Sequence, residues 1–377
     1  MTCKNKTSCL FCLFWRPRKA FIGLTAVLTF SLGLLMVYTE KSFTINSFRK
    51  VGPENVISFL RNFVHNFRSQ QDSLLDYIPA SKWTEYRRLN LTGKLNLLVR
   101  ENASMRDPRL IDLIRKYIQP PSDKPYALKN PDLKDYSCGQ STYVNNLILN
   151  SKEKGFFVEA GAWMGEHAST SLFFERSRGW TGLLVEPNPE NFEKLKSLNR
   201  KAFHINACLS THQFPALLKL NGASDMSRTI ERKEDEQWVI DHKFDQKPYY
   251  EVPCFPLYSI MLAINQTSID YFGLDVEGNE LLILQTIPFD DINITGLTAE
   301  CLEMGQRGSK DAAAVRKFLE NKGYTCHGII AANPGHGCFA EDFIFVKKGL
   351  VSEQYNCRLV LDPFIPFIAN RTVHNLI

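Results

Sequence analysis

The sequence predicts an α/β protein: a largely parallel, doubly wound sheet carried behind an N-terminal transmembrane helix and a stem. Three observations lead there. From Phe156 to Gln285, short apolar runs alternate with stretches of helical periodicity, the pattern of strand–helix–strand units. The first run, Phe156–Val158, passes through Glu159 into a turn of small residues, Ala160-Gly161-Ala162, with Gly165 close behind. Near the N-terminus, Ala20–Tyr38 holds no charged residue at all.

In chain order, Lys4, Lys6, Arg16, Arg18 and Lys19 account for the whole net charge of +5, and residues 1–19 hold no acid. The rest of the chain is balanced and shows no basic stripe with interleaved aromatics, so no nucleic-acid partner is expected. As a helix, residues 20–38 reach about 28 Å, the thickness of a hydrocarbon core. The basic flank places residues 1–19 in the cytosol and everything after the span in the lumen. A cleaved signal peptide fits less well, because the apolar run is too long and no A-x-A-like site follows. Cys9 and Cys12, just before the span, are either palmitoylation sites or idle thiols. After the span come sequons at Asn90, Asn102, Asn265, Asn293 and Asn370. Seven of the ten cysteines, Cys138 to Cys357, also follow it, an odd number that leaves one without an intrachain partner in an oxidising lumen. The expected product is a single-pass membrane glycoprotein of the endoplasmic reticulum or Golgi, with endosome and plasma membrane as onward stations.

Residues 39–103 read as a luminal stem. Within it, Val56–Leu75 has partly helical apolar spacing, open to a helix leading off the membrane, a self-association face or a solvated spacer. The folded domain is expected over 104–350 and a tail over 351–377. Leu110–Ile118 is an amphipathic helix stopped by Pro120-Pro121; residues 122–135 are extended; a helix pattern resumes at Gln140–Leu149. Further strands are expected at Leu183–Val185, Phe203–Leu209, Gln213–Leu220, Tyr249–Phe255, Ile269–Leu274, Leu297–Met304 and Phe343–Val346. Helices are expected at Glu190–Leu198, Ser259–Asn265, Leu281–Gln285 and Asp311–Lys322, and the charged stretch Arg228–Asp245 reads as a loop or solvated helix.

Two stretches carry candidate chemistry. Glu186 closes the second strand, 25 residues beyond Gly161, where a doubly wound sheet can place an acid on ribose hydroxyls. The turn is G-A-W-M-G and lacks the G-x-G-x-x-G spacing of a dinucleotide site. Asp275 and Glu277 stand at the carboxyl end of another strand, where open α/β sheets bind ligands. They suit a general base, an orienter of a substrate hydroxyl or a cation site, and Glu277 equally suits a helix start. Cys326-His327 and His336-Gly-Cys338 lack zinc spacing, a Cys326–Cys338 disulfide is the simpler reading, and no metal centre is expected.

At this point a resemblance enters. EAGAWMGE, LLVEPNPENFEKL, NACLS and GLDVEGNELLIL, in that order, resemble the FkbM-type methyltransferase domain. The lead-in DPRLIDLIRKYIQPP and YSCGQS extend the likeness over roughly residues 107–347. The resemblance implies a Rossmann-like methyltransferase fold that binds S-adenosylmethionine. It implies Glu159, Gly161, Ala162 and Gly165 on the methionine side, Glu186 on the ribose, Asn188 and Cys208 near the adenine, and Asp275 and Glu277 as the catalytic pair facing the transferred methyl. Met164 stands where relatives commonly carry Asp, which implies a weaker hold on the cofactor ammonium. With a short cytosolic tail, one span and a luminal domain, the chain further resembles the Star group of animal membrane proteins. That likeness implies a protein cargo: assistance to endoplasmic reticulum-to-Golgi transport of a membrane protein such as an epidermal-growth-factor-receptor ligand precursor, without catalysis. The alternative is an active luminal O-methyltransferase.

Overall fold

The computed structural model describes residues 74–137, 139–147, 149, 152–223, 226–302, 310–330, 341–350 and 358–360. They belong to one compact unit, Asp72–Ile377. The expected span, cytosolic tail, C-terminal tail past residue 360 and the Val56–Leu75 pattern up to residue 73 lie outside the described residues. Among the described residues no helix is long and apolar enough to cross a membrane.

Where a stem was expected, two helices join the domain. These are α1 (Ala80–Arg88) and α2 (Leu91–Arg100), and they bury Tyr86, Leu95, Leu97 and Leu98 in the main core. Helix α2 begins because the Asn90 side chain accepts the Gly93 N–H at 2.8 Å, a side-chain cap on an otherwise unpaired donor. Helix α3 (Pro108–Tyr117) starts the same way, with Asp107 as cap and Pro108 pre-set for the first turn. Its inner face, Leu110, Ile111, Leu113 and Ile114, is fully buried.

The chain then runs β1 (Ile118–Gln119), α4 (Gln140–Leu147), β2 (Phe156–Ala160), α5 (Leu172–Arg178), β3 (Thr181–Val185), α6 (Pro189–Ser197), β4 (Phe203–Ile205), β5 (Cys208–Leu209), β6 (Ala216–Asn221), β7 (Arg228–Ile230), α7 (Lys233–Asp241), β8 (Tyr249–Phe255) and α8 (Leu257–Ala263). It closes with β9 (Ser268–Leu274), α9 (Glu280–Thr286), β10 (Asn293–Leu302), α10 (Lys310–Asn321), β11 (Tyr324–Ile330), β12 (Glu341–Lys347) and β13 (Arg358–Val360).

The main sheet has the order β1-β4-β3-β2-β9-β10-β12-β11-β13. Strands β2, β3, β4, β9 and β10 are mutually parallel. The sheet is mixed rather than simply parallel, because β12 runs antiparallel between β10 and β11 and β1 runs antiparallel on β4. An apolar run such as Phe343–Val346 reads the same in either direction, so composition does not reveal this. The order grows one way through β2, β3 and β4 and the other way through β9 and β10, so the reversal lies between β2 and β9. Outside the carboxyl ends of those two strands a crevice opens.

Strand β2 is buried along its whole length, as a central parallel strand must be. Phe156, Val158 and Ala160 enter the large core on one face, and Phe157 enters the second core on the other. By that alternation Glu159 points to the same face as Phe157. The expected Phe203–Leu209 strand is two strands. Asn206 breaks it by donating to the carbonyls of Glu186 and Pro187 at 2.8 and 3.0 Å, which sends β5 into a separate sheet, β5-β8-β6-β7. A disulfide, Cys208–Cys254, bridges the paired residues of β5 and β8. Cys326 is also disulfide-bonded; Cys338 lies outside the described residues. The charged Arg228–Asp245 stretch contains β7 and α7 rather than a solvated segment. Its Asp235 is fully buried and pairs with Arg228 and Arg232 at 3.3 and 2.8 Å.

Candidate active site

Strand β2 ends at a turn that only glycine can make. Gly161 has φ +84°, and a Cβ there would sit 1.7 Å from the Asp275 carbonyl oxygen, so the ends of β2 and β9 meet backbone to backbone. The Gly161 and Ala162 N–H groups donate to the Val185 carbonyl at 3.0 and 3.1 Å, and the Asp275 N–H donates to Ala160 at 3.1 Å. Three strand ends are thereby tied into one floor. The cavity over that floor has a volume of about 510 Å³, the size of a small-molecule site. Trp163, Ala168 and Glu277 all line it with positive φ, 46°, 60° and 61°. Such residues store strain on the order of 1–2 kcal/mol each, and strain of this kind concentrates at functional sites.

After the glycine turn the next helix, α5, begins at Leu172. Residues 163–171 form an irregular loop, and Glu159 holds it. Its carboxylate accepts the Ser169 hydroxyl at 2.9 Å, the Thr170 N–H at 2.9 Å and the Ser171 hydroxyl. Arg200 donates to the same two serines and pairs with Glu175 at 2.8 Å. Burial pushes the Glu159 carboxyl up, against the pull of Arg200 and the two serine hydroxyls. Glu159 lines the cavity, yet its oxygens are spent on the loop.

Glu186 ends β3 and is buried. It accepts the Trp163 N–H at 2.7 Å and the Asn188 N–H at 2.9 Å. Burial pushes it up to about 8, with the backbone N–H groups and Asn191 opposing and Asp275 adding to the rise. It therefore spans the glycine turn and the start of α6 from inside the cavity wall. Asn188 is the cap of α6, accepting the N–H groups of Glu190 and Asn191 and donating to Ser227 at 2.9 Å. Among the described residues, Asn188 and Gly165 do not line the cavity. Gly165 is a packing glycine, since a Cβ there would meet Leu195 at 2.9 Å. Cys208 does line the cavity, as half of the β5–β8 disulfide.

Asp275 and Glu277 are brought together with a residue that sequence reasoning missed. One carboxylate oxygen each from Asp275, Glu277 and Glu300 lie within 4.8 Å of one another. Asp275 opens to the cavity, but the protein crowding its carboxyl from every other side pushes it up, and it shares a hydrogen bond with Glu300. Glu300 rises well above the carboxylate range through burial and the repulsion of Asp275 and Glu277. Two carboxylates this close repel each other when both are charged, which is part of why Glu300 is raised. Asp342, opposite Glu300 on β12, is pushed up to about 7 by burial and by Asp275, and takes a hydrogen bond from Gln140. Glu280 accepts the Val276 and Gly278 N–H groups at 3.0 and 3.2 Å, which fixes the turn that presents Asp275 and Glu277. Glu300 carried the same signal as Asp275, an acid near the carboxyl end of an apolar run. Asp342 carried none, because only an antiparallel β12 brings the start of a strand to this edge.

Among the described residues no lysine or arginine lines the cavity, and six carboxylates do. That donor set favours a cation. Trp163 Nε1, on a residue that lines the cavity, is buried without a hydrogen-bond partner. These features fit S-adenosylmethionine, which has a sulfonium, an ammonium and ribose hydroxyls.

Comparison with known proteins bears on this site. A family profile described as the methyltransferase FkbM domain matches residues 158–326. Similar solved structures include the methyltransferase FkbM from Methylobacillus flagellatus, with 12% identity and a TM-score of 0.34 over 62% of this chain and 50% of that one. A TehB-like SAM-dependent methyltransferase from Corynebacterium glutamicum has 10% identity and a TM-score of 0.30 over 57% of this chain and 89% of that one. The match thus spans half the length of the Methylobacillus protein. No curated protein matches the chain.

Proposed function

We propose that the FkbM-type domain at residues 158–326 binds S-adenosylmethionine in the crevice between β2 and β9 and directs its methyl group toward an oxygen acceptor. The observation that carries this reading is the run of six carboxylates that line the cavity at the sheet's reversal point. When bound, the cofactor supplies an electrophilic methyl on a positively charged sulfur. Gly161 and Ala162, which line the cavity, are assigned to its methionine side. Glu186, fixed through Trp163 and Asn188, is placed for the ribose hydroxyls. Asp275 faces the acceptor side, and alignment rather than covalent chemistry is what this wall contributes.

The test is calorimetry on the full-length protein in detergent with S-adenosylmethionine. Saturable binding in the micromolar range is expected, weakened at least about tenfold in Glu186→Ala, a loss of about 1.4 kcal/mol. A folded protein that takes up no cofactor at millimolar concentration ends this reading.

A second reading is a membrane-anchored carrier of a protein cargo between endoplasmic reticulum and Golgi, working without catalysis. A disulfide in the cavity wall and the exposure of the sequon residues Asn90, Asn102, Asn265 and Asn293 favour an oxidising, glycosylating compartment for the domain, away from cytosolic S-adenosylmethionine. Met164, in place of the family's acid, points the same way. Cargo export in cells that survives Glu186→Ala supports it; export lost in that variant, with the protein still folded, removes it.

A further inference from the structure

The edge formed by β9, β10 and β12 brings a group of acceptors to one end of the cavity. Asp275, Glu277 and Glu300 bring three carboxylate oxygens within 4.8 Å of one another. A divalent ion with oxygen ligands at roughly 2.0–2.6 Å holds any two of them no farther apart than about 5 Å. A second observation comes from the neighbouring helix. Gln140 is only 5% exposed and lines the same cavity. Its Nε2 donates to Asp342, which faces Glu300 across the β10–β12 ladder. Its side-chain carbonyl, Oε1, has no hydrogen-bond partner. A buried carbonyl oxygen left without a donor calls for a ligand that supplies one. The carboxylates and this carbonyl are all acceptors, so a hydrated cation satisfies both sets.

We propose that Asp275, Glu277 and Glu300 bind one divalent, oxygen-seeking cation of the magnesium or manganese class, with Gln140 Oε1 accepting from a water on the ion. The ion's use, holding a hydroxyl or carboxylate oxygen of the acceptor beside the methyl group, rests on the methyl-transfer reading; its binding does not.

The experiment is a titration of the full-length protein in detergent with Mn²⁺, read by electron paramagnetic resonance, with Mg²⁺ as competitor. The expected result is one Mn²⁺ per chain, displaced by Mg²⁺. Affinity falls at least about tenfold in Glu300→Gln and in Asp275→Asn, and is unchanged in Glu234→Gln, an exposed acid on α7. Circular dichroism melting confirms that each variant is folded, and the second variant decides if the first is not. No Mn²⁺ bound, or Mn²⁺ bound equally by both folded site variants, overturns the proposal. Mn²⁺ uptake without S-adenosylmethionine uptake keeps the ion site and removes the methyl-transfer reading; the reverse result does the opposite.

Discussion

Gly161 and Glu159 sit two residues apart and do different work. Gly161 is where the ligand crevice depends on the absence of a side chain, because its Cβ position is already filled by the Asp275 carbonyl. Gly161→Ala is expected to cost about 2–4 kcal/mol and to abolish cofactor binding, measured by chemical denaturation alongside calorimetry. Glu159 was readable as a cofactor ligand from its motif, yet the structure spends its oxygens on Ser169, Thr170 and Ser171. Glu159→Ala would leave the Ser169 and Ser171 hydroxyls and the Thr170 N–H without their acceptor, so its main expected effect is a loss of stability of about 2–4 kcal/mol. The sequence could not show this. Its partners lie ten to twelve residues on, in a loop with no periodicity, and Arg200 arrives from the far end of α6.

At the scale of elements, the runs that end in acids were legible because a central parallel strand must be apolar and its carboxyl end must meet solvent or ligand. Strands β2, β3 and β9 fall where their apolar runs predict, and so does α6 with its Asn-Pro start. Tyr249–Phe255 was legible as a strand, but not its place in a second sheet, since pairing partners are set by contacts remote in sequence. The Cys208–Cys254 bond ties two such remote elements, β5 and β8, across 46 residues. A Cys208→Ala, Cys254→Ala double variant is expected to lose roughly 2–4 kcal/mol, read as a lowered denaturant midpoint. It should also lose cofactor affinity, because Cys208 and Leu209 form one wall of the cavity.

The molecule as a whole concentrates raised carboxyls at one edge of its sheet, and this sets its response to pH. Burial pushes Glu186 up to about 8 and Glu280 and Asp342 to about 7. Each keeps a proton in the folded chain at pH values where the unfolded chain has released it. Their stabilisation is complete below the ordinary carboxyl range and is lost as pH rises through about 7 to 8. Burial holds His327 down to about 4 and lowers His204; these act in the opposite sense, but only below the ordinary histidine value of 6.5. Above that value the acids act alone. The ligand-free protein should therefore melt at a higher temperature at about pH 6 than at about pH 8.5, and a bound cation should flatten the difference. A melting temperature that rises over this range would contradict the burial of these acids.

The disulfide in the cavity wall also sets an order of events. Strand β5 is two residues long, so without the sulfur bridge one side of the pocket hangs on a minimal ladder. The pocket is finished by an oxidation and not by chain folding alone. With the two thiols reduced, β5 is left on its two-residue ladder to β8, so the hold of this wall on a ligand follows the redox poise of the surroundings.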